Sequence, residues 1–271
     1  MSFARERAIE IGRASIHVAE AGDPGAHPIV LVHGNPDSHH VWTDVVARLA
    51  PRFRCIAPDL PGFGASRAPR DVDFAFERQG ELVAELLDAL ALDRVDLVVH
   101  DIGAAFGVAF ATANAARVRT LTIFNTSLFP HHFWARVWQT RGLGELAMML
   151  GTRRLFVGQL RRGSPRMPRA YADHAYDTFG RDAKRAALRW YRTMRRELDG
   201  WDARFRDATA AVPTQVVWGD LDPFVPIANA DRFGAPVRHV ADCGHWVMAE
   251  DPALAADAIA ALVQSNKRSD R

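Results

Sequence analysis

Residues 98–107 read Val-Val-His-Asp-Ile-Gly-Ala-Ala-Phe-Gly, which predicts a buried strand that turns at Asp101 into a helix of small residues. A sharp turn of this kind presents its central side chain at the edge of a sheet, and most such turns carry a serine there. An aspartate, whose ordinary pKa is about 3.9, is already an anion at neutral pH and needs no base to become a nucleophile. The stretch therefore predicts an enzyme whose carboxylate attacks a saturated carbon directly.

Apolar runs rich in β-branched residues recur along the chain and alternate with segments of helical period. Runs at 8–12 and 15–19, joined by a short turn, predict an antiparallel pair at one edge of a sheet. Strands that alternate with helices at this spacing indicate an α/β fold, a mostly parallel sheet flanked by helices. The other predicted strands are 28–33, 53–57, 94–100, 119–125, 213–219 and 237–241, and the clearest helices are 77–92, 103–115 and 252–263.

The pattern changes in the middle of the chain. Between residues 128 and 208 the strand-like runs vanish, and arginines and aromatic residues recur at helical spacing with a Gly-Ser-Pro break at 163–165. The sequence therefore predicts a helical cap at 128–208, inserted into an α/β core made of 1–127 and 209–271.

Composition argues against several classes of protein. The 271 residues carry a formal net charge of only +2, with acidic residues mixed among the arginines, so we expect no nucleic-acid partner. No stretch approaches the roughly 18 apolar residues of a membrane span, and the first residues lack the apolar run of a secretory leader. We therefore expect a cytoplasmic protein without a membrane partner.

The cysteines and histidines do not predict a metal or redox site. Cys55 and Cys243 lie in or beside apolar runs at no metal-type spacing, which is typical of reduced structural thiols. The adjacent pair His39 and His40 lacks the i,i+4 or longer spacings of metal sites. We therefore expect neither a metal ion nor an organic cofactor.

Polar residues follow four of the predicted strands, at the edge of a parallel sheet where ligands bind. The candidate groups occur in the order nucleophile, acid, histidine: Asp101, then Asp222 with Asp220 as a competing acid, then His245. Among common catalytic triads this order is typical of one scaffold. The four segments are His-Gly-Asn-Pro at 33–36, His-Asp-Ile-Gly at 100–103, Trp-Gly-Asp-Leu-Asp-Pro at 218–223 and Asp-Cys-Gly-His-Trp at 242–246.

These segments resemble those of the α/β-hydrolase superfamily, and within it the aspartate-nucleophile branch that holds the epoxide hydrolases and haloalkane dehalogenases. Two further segments stand in the order of that branch, Asp-Leu-Pro-Gly-Phe-Gly-Ala-Ser at 59–66 and Asn-Thr at 125–126. The resemblance therefore covers nearly the whole predicted core. Alignment on the glycine and proline of the Trp-Gly-Asp-Leu-Asp-Pro segment favours Asp222 over Asp220 as the acid.

The resemblance implies a mechanism and a set of roles. Asp101 forms an alkyl-enzyme ester, and His245, oriented by Asp222, activates the water that hydrolyses it. Charge that develops on the Asp101 carboxyl oxygen would be stabilised by an oxyanion hole, formed by the backbone N–H groups of Asn35 and Ile102.

Epoxide hydrolases carry tyrosines in the cap that assist the epoxide oxygen as the ring opens. One of them lies in a motif similar to Trp-Tyr-Arg at 190–192, which makes Tyr191 the candidate donor, with Tyr171 as a second. The alternative for Tyr191 is an aromatic side chain that packs the cap onto the core. We expect Trp134 and Trp246 to line the substrate pocket beside them.

Dehalogenases also resemble this chain. In haloalkane dehalogenases the asparagine that corresponds to Asn35 helps to hold the departing halide, but a tryptophan follows the nucleophile where this chain has Ile102, which offers no side-chain donor. Fluoroacetate dehalogenases hold a carboxylate with arginines just after the nucleophile, and residues 102–106 contain none.

The sequence therefore predicts an epoxide hydrolase that acts on a small apolar organic substrate with water. A haloalkane or haloacid dehalogenase is the alternative, and a conventional esterase is a weaker one. A catalytically silent small-molecule binding protein on the same fold is a further alternative, against which the presence of both Asp222 and His245 argues. The sequence leaves the oligomeric state open, with a homodimer as one option.

Overall fold

The structure, a computed structural model, describes residues 3–126, 133–197 and 201–269 and is built on an eight-stranded sheet. The strands are β1 (Arg5–Ile11), β2 (Ala14–Ala21), β3 (Pro28–Val32), β4 (Arg54–Pro58), β5 (Val95–His100), β6 (Val118–Phe124), β7 (Thr214–Gly219) and β8 (Val237–Val240). Their order in the sheet is β1-β2-β4-β3-β5-β6-β7-β8. The pairs β1–β2 and β2–β4 are antiparallel and the others are parallel, which confirms the predicted fold class.

The edge pair β1–β2 begins earlier than the apolar pattern predicts. Arg5, Glu6 and Arg7 pair with β2 although all three residues are exposed. An edge strand gains its backbone hydrogen bonds from a single neighbour and can keep charged side chains in solvent. A prediction from hydrophobic periodicity therefore misses the first residues of β1.

Helices cover both faces of the sheet, as predicted. The long helices are α1 (Thr43–Leu49), α2 (Phe76–Ala89), α3 (Gly103–Ala113), α4 (Phe133–Gln139), α5 (Leu143–Leu150), α6 (Arg153–Gly163), α7 (Arg169–Thr178), α8 (Arg181–Glu197), α9 (Trp201–Ala211) and α11 (Pro252–Ser269), with a short α10 (Val247–Glu250). Helices α2, α3 and α9 pack in one buried apolar cluster and α1, α10 and α11 in another. Successive residues of β3 alternate between the two clusters, with Val30 in the first and Ile29 and Leu31 in the second. None of the helices, over the residues described, is long and apolar enough to cross a bilayer.

Helices α4 to α8 lie between β6 and β7, and the described residues of this segment contain no strand. That agrees with the change of pattern in the sequence. Helix α9, which ends the segment, packs against α3 of the core. The division of the chain at 128 and 208 stays a prediction.

Candidate active site

The turn after β5 places Asp101 in an uncommon backbone conformation. Its φ is +48°, in the left-handed region that non-glycine residues rarely adopt. The Asp101 N–H donates to the carbonyl of Asn125 at 3.2 Å, and its carbonyl accepts from Thr126 Oγ1 at 2.8 Å. Asn125 and Thr126 directly follow the neighbouring strand β6, so hydrogen bonds with the end of β6 stabilise the strained turn at Asp101. Strain that the surroundings hold in this way is typical of functional sites.

Two glycines let the loop after β3 approach this turn closely. A Cβ on Gly34 would lie 2.4 Å from Asp101 Cβ, and a Cβ on Gly103 would lie 2.3 Å from the carbonyl oxygen of His33. No side chain fits at these distances. A larger residue at either position would therefore separate Asp101 from the loop that carries Asn35.

His245 lies between two carboxylates. Its Nδ1 is 2.6 Å from Asp222 Oδ2, and its Nε2 is 3.7 Å from Asp101 Oδ2. The competing acid, Asp220, instead contacts His239, with 2.9 Å between Oδ1 and Nδ1. The structure therefore brings Asp222, rather than Asp220, to His245 and places both beside Asp101.

Backbone and side-chain donors orient the Asp222 carboxylate. Its Oδ1 accepts from the N–H groups of Phe224 and Val225 at 2.8 and 3.0 Å, and its Oδ2 accepts from Asn125 Nδ2 at 2.9 Å. Asn125 is fixed in turn, because its Oδ1 accepts from the N–H of Gly219 at 2.9 Å. The neutral amide at the end of β6 thus positions the acid at the end of β7.

These contacts shift the pKa values of the histidine and the acid. Burial lowers the pKa of His245, but the charge and hydrogen bond of Asp222, together with the Asp101 charge, raise it above its ordinary value. Burial raises the pKa of Asp222, but His245, Asn125 and the N–H of Val225 hold it below its ordinary value. Asp222 therefore stays ionised, and His245 accepts a proton readily.

Asn35, one of the two residues predicted to form the oxyanion hole, contacts Asp101. Its backbone N–H donates to Asp101 Oδ1 at 2.8 Å. Its side chain lines the cavity described below, and the buried Oδ1 atom has no hydrogen-bond partner within the described parts of the chain. Ile102 directly precedes α3, and its side chain is buried in the core. The role of the Ile102 N–H as the second donor stays a prediction.

A cavity of about 920 Å³ contains Asp101 and His245 in its wall. This volume is at the upper end of the range for small-molecule sites, and the wall is mostly apolar. The segment of helices α4 to α8 contributes much of it, including Trp134, Trp138, Met148, Phe156, Phe179 and Tyr191.

The structure brings two of the predicted cap residues to this cavity. Tyr191, in α8, is buried and lines the wall, with its ring centroid 4.8 Å from that of Trp138 and 5.1 Å from that of Trp190. Trp134 also lines the wall and stacks on Trp138 with 6.2 Å between centroids. Tyr191 therefore both packs the cap and faces the cavity, so the two interpretations of this residue are compatible.

Tyr171 and Trp246 are held by a residue that sequence reasoning missed, Asp37. Asp37 Oδ1 accepts a hydrogen bond from the Tyr171 hydroxyl, and its Oδ2 accepts from Trp246 Nε1 at 2.8 Å. Tyr171 is not among the residues that line the cavity, so the structure does not support a substrate contact for it. Trp246 does line the cavity, but it offers its ring rather than its N–H.

Asp37 connects α7, which carries Tyr171, to the two loops that carry Asn35 and His245. Its side chain is 1% exposed, and burial raises its pKa to about 7 in spite of the hydrogen bonds from Tyr171 and Trp246. The signal that could have found it is its position, directly after the Asn-Pro segment at the end of β3.

Comparison with known proteins gives one family match. A family model described as alpha/beta hydrolase fold matches residues 27–252. Among curated proteins, the chain is 43% identical to a haloalkane dehalogenase of Agrobacterium fabrum (strain C58) over 113 residues, which cover 42% of this chain and 36% of that protein. It is 24% identical to epoxide hydrolase A of Mycobacterium tuberculosis (strain H37Rv), with 93% of this chain and 95% of that protein covered. The chain thus spans less than half the length of the haloalkane dehalogenases it matches, at 36% to 46%.

Solved structures share the fold over nearly the whole chain. Cfl2 from Burkholderia cenocepacia superposes with a TM-score of 0.81 at 25% identity, covering 96% of this chain and 95% of that one. The epoxide hydrolase CorEH superposes with a TM-score of 0.79 at 24% identity, covering 96% and 99%. At this identity the second similarity shows the fold alone.

Proposed function

Because the chain belongs to the α/β-hydrolase family, we propose that it is a hydrolase that forms an ester on Asp101 and then hydrolyses it, with epoxides as substrates. One observation carries the proposal: Asp101, His245 and Asp222 meet at a mostly apolar cavity whose wall includes Tyr191. A catalytically silent binding protein does not need these contacts, in which Asp222 orients His245 and raises its pKa, and His245 lies beside Asp101.

The first step is an attack by the carboxylate. Asp101 Oδ1 accepts the Asn35 N–H, and Asp101 Oδ2, 3.7 Å from His245 Nε2, attacks an epoxide carbon. The bond between that carbon and the ring oxygen breaks, and the oxygen takes a proton from the Tyr191 hydroxyl. The product is an ester of Oδ2 that carries a neutral hydroxyl group on the adjacent carbon, and Tyr191 regains its proton from solvent.

The second step is hydrolysis of that ester. His245 Nε2 takes a proton from water, and the resulting hydroxide adds to Cγ of Asp101. Negative charge develops on Oδ1, where the Asn35 N–H already donates, and one such donor typically contributes roughly 3 kcal/mol. The bond from Cγ to Oδ2 breaks, and the diol leaves with Oδ2 as its second oxygen and with the proton from His245. The water oxygen takes the place of Oδ2, and the carboxylic acid so formed releases its proton to solvent, which restores the Asp101 carboxylate.

The donors available to the leaving group favour an epoxide over a halide. An epoxide oxygen stays attached to the substrate and needs a proton, which a tyrosine hydroxyl supplies. A halide leaves as a free anion and needs several donors around it. Ile102 has a buried aliphatic side chain without a donor, and the indole N–H of Trp246 already donates to Asp37. Neither side chain is therefore available to hold a halide.

One observation favours a haloalkane dehalogenase as the second candidate. The Asn35 side-chain amide lines the cavity beside Asp101, where it could contact a halide. The Agrobacterium fabrum relative named above carries that activity in its name.

The Tyr191→Phe variant tests the choice between these substrates. Without the hydroxyl the opening ring oxygen loses its proton donor, so we expect kcat for epoxides to fall roughly 10²- to 10³-fold. Turnover of an alkyl halide, if present, should change only a few-fold. The measurement is steady-state kinetics on matched panels of terminal epoxides and primary alkyl halides of equal chain length.

Tyr176→Phe is the matched control, because Tyr176 also lines the cavity but packs its ring on Phe156. Its loss of activity should be much smaller. Equal losses in both variants, or an unchanged epoxide kcat in Tyr191→Phe, would remove Tyr191 from the mechanism. A wild-type enzyme that turns over halides but no epoxide would replace the epoxide proposal by the dehalogenase.

The raised pKa of His245 predicts the acid side of the pH profile. The base is the neutral imidazole, which acts in hydrolysis of the ester, so kcat should fall as pH decreases through a pKa above the ordinary value of about 6.5. The Asp222→Asn variant lacks the Asp222 charge, which contributes most to raising the pKa of His245. The acid limb of its residual activity should therefore shift to lower pH. A wild-type acid limb below pH 6 would contradict the assignment of His245 as the base.

A further inference from the structure

Three side chains of metal-binding type meet outside the cavity, where β1 and β2 pass the segment that follows β3. They are Glu6, His17 and His39, and one ligand atom from each lies within 4.8 Å of the other two. Glu6 Oε2 is 3.5 Å from His17 Nε2. None of the three residues lines the cavity that contains Asp101.

The fold places them together. In the antiparallel pairing of β1 and β2, Glu6 faces Ala19 and Ala8 faces His17, so Glu6 and His17 are diagonal neighbours on one face of the ribbon. His39 is the first residue of a short 3-10 helix, His39–Trp42, and its ring centroid lies 5.1 Å from that of His17.

Both imidazoles present a buried nitrogen that makes no hydrogen bond within the described part of the chain. The Nε2 atoms of His17 and His39 are shielded from solvent, and neither has a hydrogen bond to any residue that the structure describes. Buried polar atoms in folded proteins are nearly always satisfied, and these two nitrogens lie on neighbouring rings. An ion between the rings would satisfy both nitrogens at once.

The opposite nitrogen of His39 is already held in the manner typical of a metal ligand. His39 Nδ1 is 3.0 Å from Asp59 Oδ1, and the backbone N–H of His39 donates to the same oxygen at 2.6 Å. Asp59 is fully buried and also accepts from the N–H of Ala65 at 2.8 Å. A carboxylate on Nδ1 keeps the proton there and directs the Nε2 lone pair outward, as in carboxylate–histidine–zinc arrangements.

We propose that Glu6, His17 and His39 bind one divalent transition-metal ion of the zinc type, through a carboxylate oxygen and two Nε2 atoms. Imidazole nitrogen and carboxylate oxygen are ordinary ligands of Zn²⁺ at about 2.0–2.2 Å, which separates tetrahedral ligand atoms by about 3.4 Å. The Glu6–His17 separation of 3.5 Å meets this requirement. The Glu6 side chain is 52% exposed and can rotate toward the rings, and solvent would complete the coordination.

The proposed ion has a structural consequence. It would join the edge pair β1–β2 to the segment between Asn35 and His39, which follows β3. An ion that binds the folded chain and not the unfolded one stabilises the fold by mass action. Spacing along the chain could not predict this site, because its ligands come from three separate segments.

Thermal unfolding of the 271-residue chain, freed of any affinity tag and stripped of metal, tests the proposal with Zn²⁺ alone. At a free Zn²⁺ concentration about 100 times Kd, we expect Tm to rise by roughly 5–10 °C, and titration calorimetry should give one equivalent. Co²⁺ should bind the same site and show visible absorption bands of low-symmetry coordination.

Two variants and a control locate the ion. Glu6→Gln and His17→Gln each remove one ligand and should weaken Zn²⁺ binding at least ten-fold, with loss of at least about half of the Tm rise at the same Zn²⁺ concentration. His239→Gln is the matched control, because it removes a half-exposed histidine that is also paired with a carboxylate, on the opposite edge strand β8. It should keep the full rise.

The proposal is overturned if Zn²⁺ leaves the wild-type Tm unchanged, or if the rise persists in His17→Gln and Glu6→Gln. An equal loss in His239→Gln would assign the effect to general histidine binding and overturn it as well. If His17→Gln fails to fold, Glu6→Gln decides alone, because its side chain lies in an exposed edge strand.

Discussion

Asp101→Asn is expected to lower kcat by at least about 10⁴-fold, the scale of losses seen when a nucleophile is removed. The amide has nearly the shape of the carboxylate, and its oxygen can still accept from the Asn35 N–H. What is lost is the negative charge, so the carbon is no longer attacked. Fold stability should not fall, because asparagine tolerates the left-handed φ of +48° at least as well as aspartate.

The measurement is steady-state turnover together with Tm, so that a chemical loss is separated from unfolding. Residual activity that grows with time would reflect conversion of the amide to the acid, which mass spectrometry detects, and Asp101→Ala excludes that route. Asp220→Asn is the control, since Asp220 contacts His239 rather than the site and should keep activity within about two-fold. Full and constant turnover in Asp101→Asn would show that another group attacks the substrate.

His245→Gln is expected to stop the cycle after the first step. Asp101 is already an anion and needs no base to attack, so the ester should form at close to the wild-type rate. Its hydrolysis needs the imidazole, whose Nε2 lies 3.7 Å from Asp101 Oδ2, and should slow by at least about 10⁴-fold. The variant should therefore accumulate a covalent ester.

Intact-protein mass spectrometry detects the ester and shows whether an epoxide or an alkyl halide formed it. An epoxide adds its entire mass to the protein, whereas an alkyl halide adds its mass less that of the hydrogen halide. The double variant with Asp101→Asn should add nothing, which would place the modification on Asp101. No adduct with any substrate in His245→Gln, despite wild-type turnover, would contradict an ester mechanism and favour direct attack by water.

Much of the core was predictable because its signals are local. The apolar period of 94–100 and the small residues after it indicated β5, the turn and α3, and the structure has them at Val95–His100 and Gly103–Ala113. The strands at 28–33 and 213–219 were predicted to within a residue for the same reason. The start of β1 was missed by three residues, because its exposed charged residues carry no hydrophobic period.

The candidate site was predictable in part. The order of Asp101, Asp222 and His245 along the chain named the groups, because parallel strands deliver their following residues to one edge. The same rule could not separate Asp222 from Asp220, which are two residues apart, and the structure did so through the 2.6 Å contact of Asp222 with His245. Nor could it place Tyr171, whose hydroxyl is held by Asp37, far away in sequence.

The sequence by itself determined the α/β core and the charged group at its central turn, since both follow from neighbouring residues along one strand and the next helix. Only the tertiary structure decided which side chains share a space. The link from Asp37 to Tyr171 and Trp246, and the group of Glu6, His17 and His39, each join segments that the sheet order brings side by side. Contacts of that kind depend on the order of the strands and on the direction of side chains. Neither produces a periodic pattern in the amino-acid sequence.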